Sequence, residues 1–265
     1  MTTVENASSA LAEDIRELAE RAGQEILEIY RTDDPEVRQK DDRSPVTNAD
    51  IRAEQVILRG LAELTPEIPV IAEESVAAGR IPEEFGERFW LVDPLDGTKE
   101  FLSHNGEFTV NIGLVERGEP VLGVVHTPAV GTSHVGVVAD GGYVRVAADG
   151  SVRKLGVTVP PSDGKRVLVS RSHLDADTES WLQTITVSER VQAGSSLKFC
   201  RIAEGVADAY PRFGRTMWWD TAAGHAVLLS AGGSVHTATG ATLRYDRTER
   251  PELDNPGFIA YGREG

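Results

Sequence analysis

Apolar positions recur at helical spacing over residues 9–30, at Leu11, Ile15, Leu18, Ala22, Ile26 and Ile29, which predicts one amphipathic helix. Thr47-Asn48-Ala49-Asp50 opens a second helix, continued by Ile51, Val56, Leu58 and Leu61, with Asp50 in its first turn. Residues 69–72 form a short strand that runs straight into Glu73-Glu74-Ser75. Phe89-Trp90-Leu91-Val92 is an unbroken apolar run, the mark of a buried strand. Asp93-Pro94 is expected to stop it, because proline cannot donate to a ladder. Gly97-Thr98 then stands where a helix could start. Residues 108–115 and 120–126 read as paired strands, and 134–138 with 143–146 as a hairpin. Residues 40–45 and 77–86 read as polar loops.

Residues 147–165 are polar and carry Pro and Gly, so the chain is divided there into halves 1–150 and 151–265. The second half alternates: strand 167–170, helix 174–182, strand 185–192, helix 197–204, strand 208–213. A helix then begins at Trp218-Trp219-Asp220, runs through Ala222, Ala223, Ala226, Val227 and Leu228, and ends at Gly232-Gly233. Residues 258–261 read as a last strand. The fold class expected is α/β.

Composition narrows the function. The chain has 265 residues, 40% hydrophobic and 26% charged, ordinary for a globular protein with a sizeable core. Its 42 acidic side chains exceed 27 basic ones, a net charge of −15 that disfavours nucleic acid and anionic membranes. No apolar run approaches the ~20 residues of a membrane span. The first ten residues lack the apolar stretch of a signal peptide. A cytoplasmic location is expected, as a monomer or a homodimer, with peripheral association at the inner membrane left open. The one cysteine, Cys200, excludes an internal disulfide and reads as a small buried hydrophobe.

The chemistry lies in acids at the ends of elements. Asp93 and Asp96 leave one strand together, Glu73 ends another, and Asp220 begins a helix. Carboxylates this close repel unless a cation sits between them, and hard oxygen ligands suit Mg2+. Four carboxylates with a backbone carbonyl would suit a pair of ions ~3.5–4 Å apart. Gly97-Thr98 offers close backbone approach and free N–H groups to a phosphate.

Glu73-Glu74, Asp93-Pro94-Leu95-Asp96-Gly97-Thr98 and Trp219-Asp220-Thr221-Ala222-Ala223-Gly224-His225 together resemble the signature of the inositol monophosphatase superfamily, lithium-sensitive Mg2+-dependent phosphomonoesterases. The resemblance runs over nearly the whole chain, in the right order. It implies a layered αβαβα sandwich. It implies that Glu73, Asp93 and the Leu95 carbonyl hold one Mg2+, and Asp93, Asp96 and Asp220 a second. Thr98, oriented by Asp50, would position the attacking water, with Glu73 also in the catalytic set. The Gly97 and Thr98 amides would bind the scissile phosphate. Lys40 matches a mobile-loop lysine near a weaker third metal.

Gly97-Thr98-Lys99-Glu100-Phe101 is closer to 3'(2'),5'-bisphosphate nucleotidases of the CysQ type than to inositol phosphatases, which usually carry Thr-Asn in place of Lys99-Glu100. The segments 105–111, 170–173, 194–200 and 210–213 also look CysQ-like. That likeness implies hydrolysis of 3'-phosphoadenosine 5'-phosphate to AMP and phosphate, a link to sulfate assimilation, and the phosphosulfate as a further substrate. A second substrate phosphate needs its own pocket. Ser195, Ser196 and Lys198 at a helix start would form a nest, Arg212 a bidentate fork, and His173 a further polar contact. Trp218 and Trp219 read as packing. Two alternatives stand: an inositol- or histidinol-phosphate monoesterase on the same scaffold, and a nucleotide-binding regulatory protein without turnover.

Overall fold

The structure is a computed structural model that describes residues 2–32, 37–39, 45–82, 84–146, 149–169, 175–246 and 253–263. Helix α1 (Thr2–Tyr30) buries the stripe expected of it: Ile15, Leu18, Ala22 and Ile26 are fully enclosed. A short antiparallel ladder of β1 (Arg38–Gln39) and β2 (Pro45–Val46) leads to α2 (Asn48–Leu64), which packs along α1. The start of α2 is closed by a capping box. Thr47 Oγ1 accepts the Ala49 N–H at 3.1 Å, and Asp50 Oδ2 accepts the Thr47 N–H at 2.7 Å.

The chain then runs through β3 (Val70–Ala72), α3 (Glu73–Ala77), β4 (Arg88–Asp96), α4 (Thr98–Leu102), β5 (Thr109–Glu116), β6 (Glu119–Thr127), β7 (Thr132–Val137), β8 (Gly141–Val146) and β9 (Val152–Lys154). Among the described residues these strands form one sheet in chain order, with β3 parallel to β4 and the others antiparallel.

Two sequence expectations are corrected here. Asp93-Pro94 does not stop its strand. β4 continues to Asp96 through a bulge between the Asp93–Asn111 and Asp96–Thr109 pairs, where a proline interrupts no regular ladder bond. Residues 152–154, read as linker, form β9; all three are exposed, so the edge strand carries no alternation to read.

After β10 (Lys165–Val169) come α5 (Ala176–Leu182), β11 (Val187–Gln192), α6 (Leu197–Ala203), β12 (Ala209–Arg212), α7 (Trp218–Ser230), β13 (Ser234–Thr237) and β14 (Phe258–Tyr261). Their strands form a second sheet in the order β11-β10-β12-β14-β13. β13 had no sequence signal, since Ser234-Val235-His236-Thr237 fully buries only Val235.

Contacts between elements give five layers: α1 and α2, the first sheet, α6 and α7, the second sheet, then α5. α7 lies across β5, β6 and β7. It can do so because Gly113, Gly123, Gly136 and Gly142 are cross-strand neighbours on four consecutive strands. A Cβ at Gly123 would fall 2.2 Å from the Ala223 carbonyl oxygen, and one at Gly136 2.6 Å from Val227 Cα. α7 brings Ala222, Ala223 and Ala226, all buried. No helix among the described residues is long and apolar enough to cross a membrane.

Candidate active site

Register brings the first two acids together. β3 and β4 are parallel, with Ala72 opposite Val92. Glu73, the first residue past β3, and Asp93, the residue of β4 just before its bulge, therefore follow side by side, toward the carboxyl ends where open sheets place ligands. The Asp93 carboxyl lies within reach of that of Glu73. Burial, then the nearby charges of Glu73, Asp96 and Asp220, push Asp93 well above the usual carboxylate range. Asp220, in the first turn of α7, is raised in the same way by burial, then by Asp96 and Glu73. Burial also raises Asp96, against the opposing pull of Lys198 and the Ser196 N–H. Asp93 and Asp220 thus feel the charges of the other acids expected to join them.

A backbone N–H anchors one oxygen of three of them. Leu95 N–H donates to Asp93 Oδ1 at 3.0 Å, Ser196 N–H to Asp96 Oδ2 at 2.6 Å, and Met217 N–H to Asp220 Oδ2 at 2.8 Å. No three His, Cys, Asp or Glu side chains among the described residues are grouped as an ion cage.

The turn after β4 carries the water-positioning candidates. Gly97 is left-handed (φ 88°), which lets the chain leave the sheet and enter α4 at once. Thr98 Oγ1 donates to the Leu95 carbonyl at 3.4 Å. Asp50 is buried, and its Oδ2 accepts both the amide and the hydroxyl of Thr47 at 2.7 Å. α4 packs against β2, which leads into Thr47, so Thr98 and Asp50 stand on neighbouring segments.

The loop before α6 differs from the expected open nest. Ser196 is not a free phosphate donor: its amide goes to Asp96, and its hydroxyl donates to Asn111 Oδ1 at 2.7 Å and bonds Thr109 Oγ1 at 2.8 Å. Ser195, left-handed at φ 47°, bonds Thr109 through its own hydroxyl at 2.8 Å. Lys198 is buried, not a solvated charge. Its Nζ donates to the carbonyls of Ser195 at 2.8 Å and Ala193 at 3.2 Å, and sits 5.2 Å from the centre of the Tyr210 ring. Burial outweighs the pull of Asp96 and lowers its pKa to about 8. Arg212 donates through Nη2 to the Arg215 carbonyl, while its buried Nε has no hydrogen-bond partner. Asp96, Ser195, Lys198, Tyr210, Arg212 and Asp220 line one cleft. Lys40 and His173 lie outside the described residues.

The sequence profile of the Inositol monophosphatase family matches residues 8–260. The chain belongs to that family. It is 47% identical to the 3'(2'),5'-bisphosphate nucleotidase CysQ of Salmonella typhimurium over 249 residues, 94% of this chain and 98% of the relative. It is 45% identical to the CysQ of Escherichia coli K12 over the same shares of the two chains. Among solved structures, CysQ from Bacteroides thetaiotaomicron superposes with a TM-score of 0.79 at 36% identity, over 97% of this chain and 98% of that one.

Enzymes of the inositol monophosphatase family are metal-dependent phosphatases, generally using Mg2+. The donor set here fits such an ion: only oxygens, with Asp96 raised by burial, Asp93 and Asp220 by burial and by the neighbouring acids, and no His or Cys among them.

Several supporting residues escaped the sequence. Thr109 and Asn111 pair across the ladder with Asp96 and Asp93, and also hold Ser195 and Ser196. Glu107 Oε2 accepts the Gly194 N–H at 2.8 Å. Asn255 Nδ2 donates to the Met217 carbonyl at 2.7 Å and to Thr221 at 3.1 Å, steadying the start of α7. Alternation on β5 marked 109 and 111 as one face, which was the available signal. Asn255 had none. Trp218 and Trp219 are buried, as expected, with Trp218 stacked on Phe89.

Proposed function

We propose that the chain is a Mg2+-dependent 3'(2'),5'-bisphosphate nucleotidase, releasing the 3'-phosphate of 3'-phosphoadenosine 5'-phosphate to leave AMP. One observation carries this reading: a single cleft is lined both by the acids Asp96 and Asp220 and by the cations Lys198 and Arg212. A monophosphate needs only the acids with their metals. A molecule with two phosphates uses both.

Glu73, Asp93, the Leu95 carbonyl, Asp96 and Asp220 would hold two ions. When bound, Mg2+ supplies Lewis-acid polarisation of the phosphoryl oxygens and makes water more acidic. The rest falls to side chains and amides. Gly97 and Thr98 N–H groups, at the start of α4, receive phosphoryl oxygens. Thr98 Oγ1 orients the attacking water in line with the ester, and Asp50 completes the proton path as its base partner. The phosphorus–oxygen bond to the ribose breaks, and the leaving oxygen takes up a proton. Arg212, with an unspent Nε–H, receives the second phosphate, and Lys198 offers its remaining N–H while bracing the loop. Ser195 completes that end. The names of the relatives, 3'(2'),5'-bisphosphate nucleotidases, support the same substrate class; a place beside sulfate assimilation in the cytoplasm belongs to the same proposal.

The test is a panel of phosphate esters with Mg2+, with and without Li+, read by phosphate release. The bisphosphate is expected to lead the panel, with Li+ inhibiting. A preference for inositol or histidinol phosphate would overturn the reading, and absence of turnover would favour a regulatory binder.

A further inference from the structure

Glu54 stands one turn beyond Asp50 on α2 and is 3% exposed. Both of its oxygens are used across a helix–helix gap. Oε2 accepts the Glu74 backbone N–H at 2.7 Å, and Oε1 accepts the Ser75 hydroxyl at 2.7 Å. α3 spans five residues, and its N-cap, Ala72, has no side chain able to satisfy the N–H groups of its first turn. A carboxylate reaching in from α2 takes one of them, the Glu74 N–H.

A buried carboxylate is costly unless charge-assisted bonds offset its loss of water, so a local Ser or Asp cap would serve α3 more cheaply. What a local cap would not provide is the tie between helices. Glu73 has Ala72 before it, held in the ladder opposite Val92, and Glu74 after it, held by Glu54. Its backbone is fixed on both sides, which aims its carboxyl at Asp93. Asp50 and Glu54 are four residues apart on one helix, hence on one face. The face that carries the proton-path acid also sets the position of a metal acid.

We propose that Glu54 is a positioning residue for the metal centre, holding α3 so that Glu73 faces Asp93. The inference rests on the reading of Glu73 as a metal ligand.

The experiment is Mg2+ binding by calorimetry on the full chain without substrate, for wild type, Glu54→Ala, Glu54→Gln and Glu73→Gln. Melting in EDTA runs alongside. Removing an outer partner of a ligand typically costs 10–100-fold in metal affinity. Glu54→Ala is expected to weaken Mg2+ binding by about that factor, with Glu54→Gln intermediate, since its amide can accept only one of the two bonds. If Glu73→Gln weakens Mg2+ binding while both folded Glu54 variants bind as wild type does, the positioning role is overturned and the ligand reading stands. If Glu73→Gln binds Mg2+ as wild type does, the ligand reading falls and takes the proposal with it. Should Glu54→Ala melt too low to assay, Glu54→Gln decides: weaker binding at an unchanged melting temperature supports the role, and unchanged binding ends it.

Discussion

Glu73, just past the end of β3, and Asp93, within β4, bring their carboxyls together one residue beyond the paired Ala72 and Val92. Two carboxyls so placed favour a shared proton or a bound cation. Asp93→Asn removes a charge from a repelling cluster and a ligand from the proposed centre. Turnover should fall by at least ~10²-fold, the scale of losing one preorganised electrostatic contact. The metal-free variant should melt no lower than wild type, while the gain in stability on adding Mg2+, about 2.7 kcal/mol at a hundredfold excess over Kd, should shrink. Calorimetric melts with and without Mg2+ check both.

Arg212→Ala should cost bisphosphate hydrolysis selectively. A hydrogen bond to a charged group contributes about 1.5–3 kcal/mol, so kcat/KM for the bisphosphate should drop by roughly ten- to a hundredfold. A simple monophosphate should be turned over nearly as before. Equal losses on both substrates would remove the second-phosphate pocket from the account.

Lys198→Met tests a different point. Two of the lysine's donors hold the Ala193 and Ser195 carbonyls, so its loss loosens the loop as well as the cleft. Both substrates should therefore suffer, the bisphosphate more. Proteolysis or hydrogen exchange at residues 193–196 should rise, and an unchanged loop would contradict the bracing role.

The His134–Glu204 pair makes stability depend on pH. Burial opposes charge on His134, but Cys200 and Glu204 more than offset it and raise its pKa from 6.5 to about 9. The pair's contribution is fully present below pH ~6.5 and fades as pH rises through about 9. Glu204 is lowered from 4.5 to about 2, burial being outweighed by His134 and Arg201. Its contribution is full above pH ~4.5 and fades as pH falls toward 2. Urea melts should find this pair's stabilisation greatest between about pH 4.5 and 6.5. Glu204→Gln should flatten the alkaline side by on the order of 1–3 kcal/mol.

Gly123→Ala would put a methyl carbon 2.2 Å from the Ala223 carbonyl oxygen. Overpacking typically costs about 1–3 kcal/mol. Because the displaced helix carries Asp220, Mg2+ affinity should fall with stability, which a glycine serving only local backbone freedom would not produce.

The acids were legible because they sit at the exits of apolar strands or at a helix start, and a cluster of abrupt acids there has few bland explanations. The glycines and serines were less so. Ser196 looks like a free cap in sequence, yet Asp96 and Asn111, 100 and 85 residues away, take its amide and hydroxyl. Lys198 looks solvated until Tyr210 and the loop carbonyls enclose it. Pro94 read as a stop because a bulge depends on the partner strand, which local pattern does not contain. Long-range pairing decided each of these.

The row of bare backbone under α7 has a mechanical effect on the fourth acid. Cores usually absorb a change of volume by rotating side chains, but at Gly113 and Gly123 the helix presents only backbone and alanine methyls. The height of Asp220 above the strands is a backbone dimension, so the opening between the acids has a rigid floor. Chemistry at that opening thus inherits its tolerance from four positions that touch no substrate.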